Sequence, residues 1–371
     1  MIKETQHSQR NIGIEFLRMV LIFMIMVLHT LGKGGVLDNL VPLSATYDTA
    51  WFLEILSYPS GVVFGLIAGY VGYEHYHRIS DVVYIWLTVL FYTVIGSVIF
   101  FIAMPETMTY EAIRNMIFPV MSESYWYVSA YIGVFFFMNG INYAVKNMPK
   151  IEVGIMFVAA LMLFSILPIL SYTDVFALRL GSSILSIGSF YFFGACMKRF
   201  GLLEKYSSKI LFLIFICCIL FTWVFKIAGE SIFGFDSSNP EKFNRLLAYY
   251  SPPIVLAGMC LLIMFSRMKI KGFMKKVIKA AAPLAFGVYL LNAQPLVFKY
   301  LMADRFKAYA SYGPVKMSAC VILAALCLYL IGTAVDAVRN LIFGLLGIKQ
   351  RLRAVETYLR SKHINEEQTG E

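Results

Sequence analysis

The stretch Ile12-Gly13-Ile14-Glu15-Phe16-Leu17-Arg18-Met19-Val20-Leu21-Ile22-Phe23-Met24-Ile25-Met26-Val27-Leu28-His29-Thr30-Leu31 decides the class of this protein. As an α-helix it is about 30 Å long, the thickness of the hydrocarbon core of a bilayer. Three ionisable residues, Glu15, Arg18 and His29, interrupt an otherwise apolar run. Such groups are costly in hydrocarbon and mark functional sites. At about 100° per residue, Glu15 to Arg18 turns roughly 300°, and Arg18 to His29 roughly 1100°, about 20° past three full turns. The three therefore share one stripe, which must face other protein or a water-filled cavity. Arg18 and His29 are about 16 Å apart along the axis, roughly half the membrane core.

The rest of the chain agrees with that solvent. It has 371 residues, 59% of them hydrophobic and 15% charged, with a mean hydropathy of +0.72; a soluble domain is about one quarter charged. Ten apolar segments reach spanning length: Ile12–Leu31, Trp51–Tyr73, Val82–Ala103, Tyr125–Val145, Val153–Ser171, Ser183–Met197, Ile210–Ile227, Leu246–Phe265, Pro283–Leu301 and Met317–Leu346. The sixth is short; the tenth is long enough to run past the membrane as one helix. The expectation is an all-α polytopic membrane protein of about ten transmembrane helices: an N-terminal segment 1–11, a membrane domain 12–346 and a C-terminal tail 347–371. No signal-peptide cleavage pattern follows Leu31, so the first helix is expected to stay in the mature protein.

The net charge of +10 has a topological reading. With the N-terminus in the cytoplasm, the inner segments carry about twice as many Lys and Arg as the outer loops, which places both termini inside. Lys226 and Lys242 count among the outer cations. The densest cluster, Arg267, Lys269, Lys271, Lys275, Lys276 and Lys279, belongs at the inner face on anionic headgroups, or beside an anionic cytosolic ligand. A nucleic-acid partner is not needed to explain the charge. The six cysteines, Cys196, Cys217, Cys218, Cys260, Cys320 and Cys327, fall in apolar runs without metal-ligand spacing and read as small apolar residues. No metal site is expected.

His29 has two readings. It is either a satisfied interhelical histidine or a group for proton transfer or acyl acceptance near neutral pH; its alignment with Glu15 and Arg18 favours chemistry. Arg18 binds phosphate or carboxylate bidentately, and Glu15, at i, i+3, would hold it ready. Tyr125, Trp126, Tyr127 and Tyr131 read as an aromatic belt at an outer helix mouth or as a sugar-stacking platform. Tyr289, Asn292 and Gln294 read as interhelical hydrogen-bonding groups or substrate contacts. Glu54 is expected at the interface, and Asp336 with Arg339 as a structural ion pair. His7, His75, His77 and His363 lie in polar inner segments and read as solvated. Gly181-Ser182-Ser183 lacks the context of a nucleophile elbow.

The run Arg10-Asn11-Ile12-Gly13-Ile14-Glu15-Phe16-Leu17-Arg18, then ten residues, then His29, resembles the first-helix signature of acyltransferase family three: acid, any residue, Leu, Arg, ten residues, His. Leu66-Ile67-Ala68-Gly69-Tyr70 resembles the family's second-helix "SGY" stretch, with Ala68 for Ser. Tyr84 to Tyr92 is similar to its third helix, Ser124 to Tyr131 to the aromatic start of the fourth, and Phe286 to Asn292 to a late "GVYLIH" stretch with Asn292 for His. The family's Arg-x-x-Arg after the second helix is missing; His75, His77 and Arg78 occupy that region. The resemblance implies transfer of an acetyl or other short acyl group from cytosolic acetyl-CoA to a hydroxyl of a cell-surface polysaccharide or its lipid-linked precursor. It implies a bacterial inner (cytoplasmic) membrane, Arg18 and His29 as the family's Arg and His, and no nucleic-acid partner. His29 would either deprotonate the acceptor or carry the acyl group. With no esterase-like domain at its C-terminus, the chain is expected to finish the transfer in the membrane or to hand the acyl group to a partner. A glycan transporter or flippase is the alternative; a glycan polymerase would want larger outer loops.

Overall fold

Asn11 starts the first helix as the sequence requires. Its side-chain oxygen accepts from the amides of Gly13 and Ile14 at 2.9 and 3.2 Å, occupying two donors that a helix start leaves free. The computed structural model describes residues 10–122, 125–171, 173–234 and 244–369, with side chains as far as Lys362. His7, Ser124, Lys242 and the side chain of His363 lie outside the described residues. The helices are α1 (Ile12–Leu31), α2 (Ala45–Ser57), α3 (Pro59–Gly72), α4 (Ile79–Ala103), α5 (Tyr110–Ile117), α6 (Trp126–Asn147), α7 (Lys150–Leu161), α8 (Leu167–Leu170), α9 (Ile184–Phe200), α10 (Ser208–Phe233), α11 (Pro252–Ser266), α12 (Gly272–Ala281), α13 (Ala285–Asn292), α14 (Pro295–Val297), α15 (Pro314–Leu345) and α16 (Ile348–Thr369). No strand occurs among the described residues. The protein is an all-α, multi-pass membrane protein.

Eight helical spans among the described residues are long and apolar enough to cross a bilayer, and a ninth arises if α12–α13 and the Pro295–Met302 segment, bent by 59°, are one broken span. That number accords with the expectation of about ten, the difference being the short sixth segment. The sixth segment forms α9, 17 residues long and so about 25 Å. Phe190, Tyr191 and Phe193 on it are all within 1% of full burial; packed inside protein, α9 need not match the lipid thickness. The second segment begins six residues earlier than expected, at Ala45, where Ser44 caps Tyr47 N at 3.2 Å, and breaks before Pro59. Pro168 breaks the fifth through a π-turn at Met162–Ile166. Lys226 is not an outer-loop cation. It is buried in α10, paired with Glu230 at 2.6 Å, bonded to Asn244 and lying 4.0 Å over the Trp51 ring.

Two apolar cores organise the bundle. One gathers α3, α9 and α11 with parts of α6 and α10; the other gathers α2, α13 and α15, and α1 contributes to both. The α3–α9 seam is built on small residues. A Cβ on Gly69 would stand 1.8 Å from the Tyr191 carbonyl oxygen, and one on Gly194 would stand 2.1 Å from that of Leu66. Without a hydrophobic drive in lipid, close backbone approach of this kind is what holds helices together. Gly347, at φ +61°, ends the long α15 and turns the chain into α16. There the Glu356 carboxylate accepts from the amides of Ile79 and Ser80 at 3.3 and 3.0 Å. It caps α4, whose own N-cap Arg78 makes no side-chain capping bond. The described beginning and end of the chain thus lie at one face of the bundle: Arg10, Lys349 and Arg353 all line one opening.

Candidate functional site

A cavity of about 2200 Å³ runs into the bundle from that face. One side of α1 lines it throughout: Ile14, Glu15, Arg18, Ile22, Ile25, Leu28 and His29. Their spacing of three and four residues is one face of a helix. The structure therefore brings Glu15, Arg18 and His29 to a single space. Arg18 Nη1 bonds Glu15 Oε1 at 2.8 Å; the side chains are 34% and 11% exposed, and both line the cavity. That is the only hydrogen bond of the Arg18 guanidinium among the described residues. Its remaining donors are free for a ligand.

His29 is held from the far side. Its Nδ1 meets Asn292 Oδ1 at the end of α13, and the ring stands edge-on to Phe298, centroids 5.3 Å apart. Around it the deep end of the cavity is aromatic: Phe64, Trp126, Tyr127, Tyr249 and Tyr289 contribute walls. Trp126 and Tyr249 stack at 5.8 Å with planes 22° apart. Four of the six expected substrate contacts, Trp126, Tyr127, Tyr131 and Tyr289, line the cavity; Tyr125 and Asn292 do not. Tyr125 is fully buried and donates to the Leu290 carbonyl at 2.9 Å, and Asn292 stands behind His29. Glu54 is not interfacial. It lies within α2, 8% exposed, and its Oε2 has no hydrogen-bond partner.

The mouth is strongly basic. Arg10, Arg78, Lys198, Arg267, Lys349 and Arg353 line it, tempered by Glu74, Asp81, Glu204 and Glu356. Arg267 leaves the expected headgroup cluster for the wall, bonding the carbonyls of Glu204 and Tyr206. His77 is not a solvated residue. Its Nε2 bonds the Tyr191 hydroxyl at 2.8 Å and its amide donates to Asn139 at 2.9 Å, and burial pushes its imidazole below the ordinary 6.5. The Asp336–Arg339 pair forms as expected, at 2.6 Å, and Tyr92 donates to Asp336 at 2.7 Å. Arg339 and Tyr84, bonded at 3.1 Å, also line the cavity, which the sequence reading missed. So did Lys349, Arg353 and Arg360 on α16; their spacing of four and seven along one helix face was the available signal. Among the described residues no group of three His, Cys, Asp or Glu side chains is placed to hold a metal ion.

No curated protein and no solved structure matches the chain. Residues 11–335, which include α1 to α14 and the first two thirds of α15, match the acyltransferase domain of a known family. With that match over nearly its whole length, the chain belongs to acyltransferase family three.

Proposed function

We propose that this protein is a membrane O-acyltransferase of the bacterial inner membrane, moving an acetyl or other short acyl group from cytosolic acyl-CoA to a hydroxyl of a cell-surface polysaccharide or its lipid-linked precursor. The observation that carries this reading is a single cavity whose wall joins a basic mouth, the Arg18 guanidinium and the His29 ring. The mouth suits the phosphates of a nucleotide-bearing thioester: among the described residues Arg10, Arg78 and Lys349 have no acidic partner within 4 Å, while Arg353 is 3.6 Å from Asp81. A pantetheine arm is long and thin, and the helical rise of about 16 Å from Arg18 to His29 is the kind of distance such an arm bridges.

In this reading Glu15 orients Arg18, and Arg18 anchors the donor. His29 takes the proton of the acceptor hydroxyl as the new C–O bond forms at the thioester carbonyl. The C–S bond then breaks, and the proton passes to the departing thiolate. The aromatic walls at the deep end suit a sugar ring, whose C–H faces stack on Trp and Tyr. The cationic mouth supports the cytosolic side as the donor side, since basic residues collect there.

The test is the acyl content of the surface glycan, by mass spectrometry, in cells carrying His29→Ala in place of the native residue. Expected is loss of the acyl mass, with polymer length, polymer amount and membrane level of the protein unchanged. Full acylation in that strain removes His29 from the chemistry. Loss of the whole polymer instead selects a transporter or flippase.

A further inference from the structure

We infer that Asn292 is a positioning residue that selects Nε2 of His29 as the reacting nitrogen, an inference that rests on the acyltransferase reading above. The carboxamide oxygen of Asn292 only accepts, so the Nδ1 facing it carries the ring proton. In a neutral imidazole the lone pair then sits on Nε2. Nε2 makes no hydrogen bond among the described residues. The ring lines the cavity while Asn292 does not, so the edge that meets the cavity is the one away from Nδ1.

The support for Asn292 is rigid. It is the last residue of α13, just before the 59° break. The break is pinned on its far side by Gln294, which caps Val297 N at 2.8 Å and reaches Ser97 at 3.3 Å. On its near side Tyr125 holds the Leu290 carbonyl. Val288 packs against Gly332 of α15, where a Cβ would stand 2.9 Å from the Val288 Cα. A braced neutral acceptor fixes the tautomer and plane of the imidazole without adding a charge beside it. Groups that orient metal-bound histidines in the same way are worth roughly 10–100-fold in activity when removed.

Three variants in the full-length protein, purified in detergent, test this with acetyl-CoA as donor, water as the hydroxyl acceptor, and release of acetate and free CoA thiol as readout. Asn292→Leu has the size but no acceptor; Asn292→Asp keeps only acceptors; His29→Ala removes the ring. Expected is a kcat lower by roughly 10–100-fold in Asn292→Leu, with KM for acetyl-CoA and thermal unfolding unchanged, and most of the rate recovered in Asn292→Asp. Wild-type kcat in Asn292→Leu, beside an inactive His29→Ala, overturns the role of Asn292 and leaves the base intact. An Asn292→Asp protein as slow as Asn292→Leu, at wild-type unfolding temperature, shows that Asn292 serves as a donor and overturns the assignment of Nε2. An active His29→Ala overturns the underlying reading instead.

Discussion

Removing the Asp336 carboxylate should cost this protein several kilocalories, because of what it leaves behind. Asp336 is fully buried and Arg339 is 4% exposed. The carboxylate receives three hydrogen bonds: Arg339 Nε at 2.8 Å, Arg339 Nη2 at 2.6 Å and the Tyr92 hydroxyl at 2.7 Å. The room for it comes from Gly287 of α13, where a Cβ would stand 1.9 Å from Asp336 Oδ1. In Asp336→Ala the guanidinium remains buried over the Phe343 ring, with Tyr84 as its remaining hydrogen-bond partner among the described residues. Leaving one charge of a buried pair uncompensated costs about 3–5 kcal/mol. The double variant Asp336→Ala, Arg339→Met removes both charges, and Asp336→Ala and Arg339→Met are the single corners. Its remaining cost is the two tyrosine hydroxyls that lose partners, about 1–3 kcal/mol each at most. The double variant should therefore be less destabilised than the two single losses added together, by several kilocalories. Reversible unfolding in mixed dodecylmaltoside and SDS micelles, followed by ellipticity, measures all four corners of the cycle. A cost below about 1 kcal/mol for Asp336→Ala, or single losses that simply add in the double variant, would refute the assignment of the pair as a desolvated, mutually dependent unit.

Gly69→Ala should destabilise the α3–α9 seam by the upper end of the roughly 1–3 kcal/mol typical of overpacking, because its neighbour is backbone. Gly140→Ala on α6, with nothing within 4 Å, should be neutral or gain up to about 1 kcal/mol of helix propensity in the same unfolding assay. The docking of α16 should weaken in acid. Burial works upward on the Glu356 carboxyl, but bonds from Ser80 and Arg360 outweigh it and hold it below its ordinary 4.5. The stabilisation is then complete above 4.5 and lost as pH falls through the lower folded-state value. Protection factors of α16 amides, the exchange rates taken relative to the intrinsic rate at each pH, read this, and Glu356→Gln should give low protection that does not vary with pH. His77 acts near neutrality. With its folded value held below 6.5 by burial, stability should fall as pH drops from about 6.5 and level off below the folded value; a His77→Gln protein whose unfolding temperature falls identically over that range would rule His77 out as the cause.

What the sequence discloses here is what lies within one helix. The bounds of α1 and the common face of Glu15, Arg18 and His29 follow from a period of 3.6 residues and a run of apolar side chains. The Asp336–Arg339 pair was legible for the same reason. Whatever depends on two distant segments was not. His29 and Asn292 are 263 residues apart, and neither residue's surroundings announce the other. The break before Pro59 and the shortness of α9 depend on which helices are sheltered by protein, a fact that hydropathy does not carry. Lys226 looks like an outer cation until Glu230, Asn244 and the Trp51 ring close around it. Likewise α16 reads as a polar tail because its partners, the bare amides at the start of α4, exist only in the folded chain.

That last helix has an effect on biogenesis. Lys349, Arg353, Glu356 and Arg360 complete the rim of the vestibule, and they leave the ribosome after every helix from α1 to α15. Every earlier span can insert and pack before the rim exists. A chain made only as far as α15 therefore holds Arg18 and His29 in the bilayer without a finished entrance for the charged donor proposed above. Premature termination within α16 should yield a protein that is membrane-inserted and folded through α15, yet short of the cations that would meet that donor. On the proposed function, selection on α16 is thus selection on ligand capture as much as on stability.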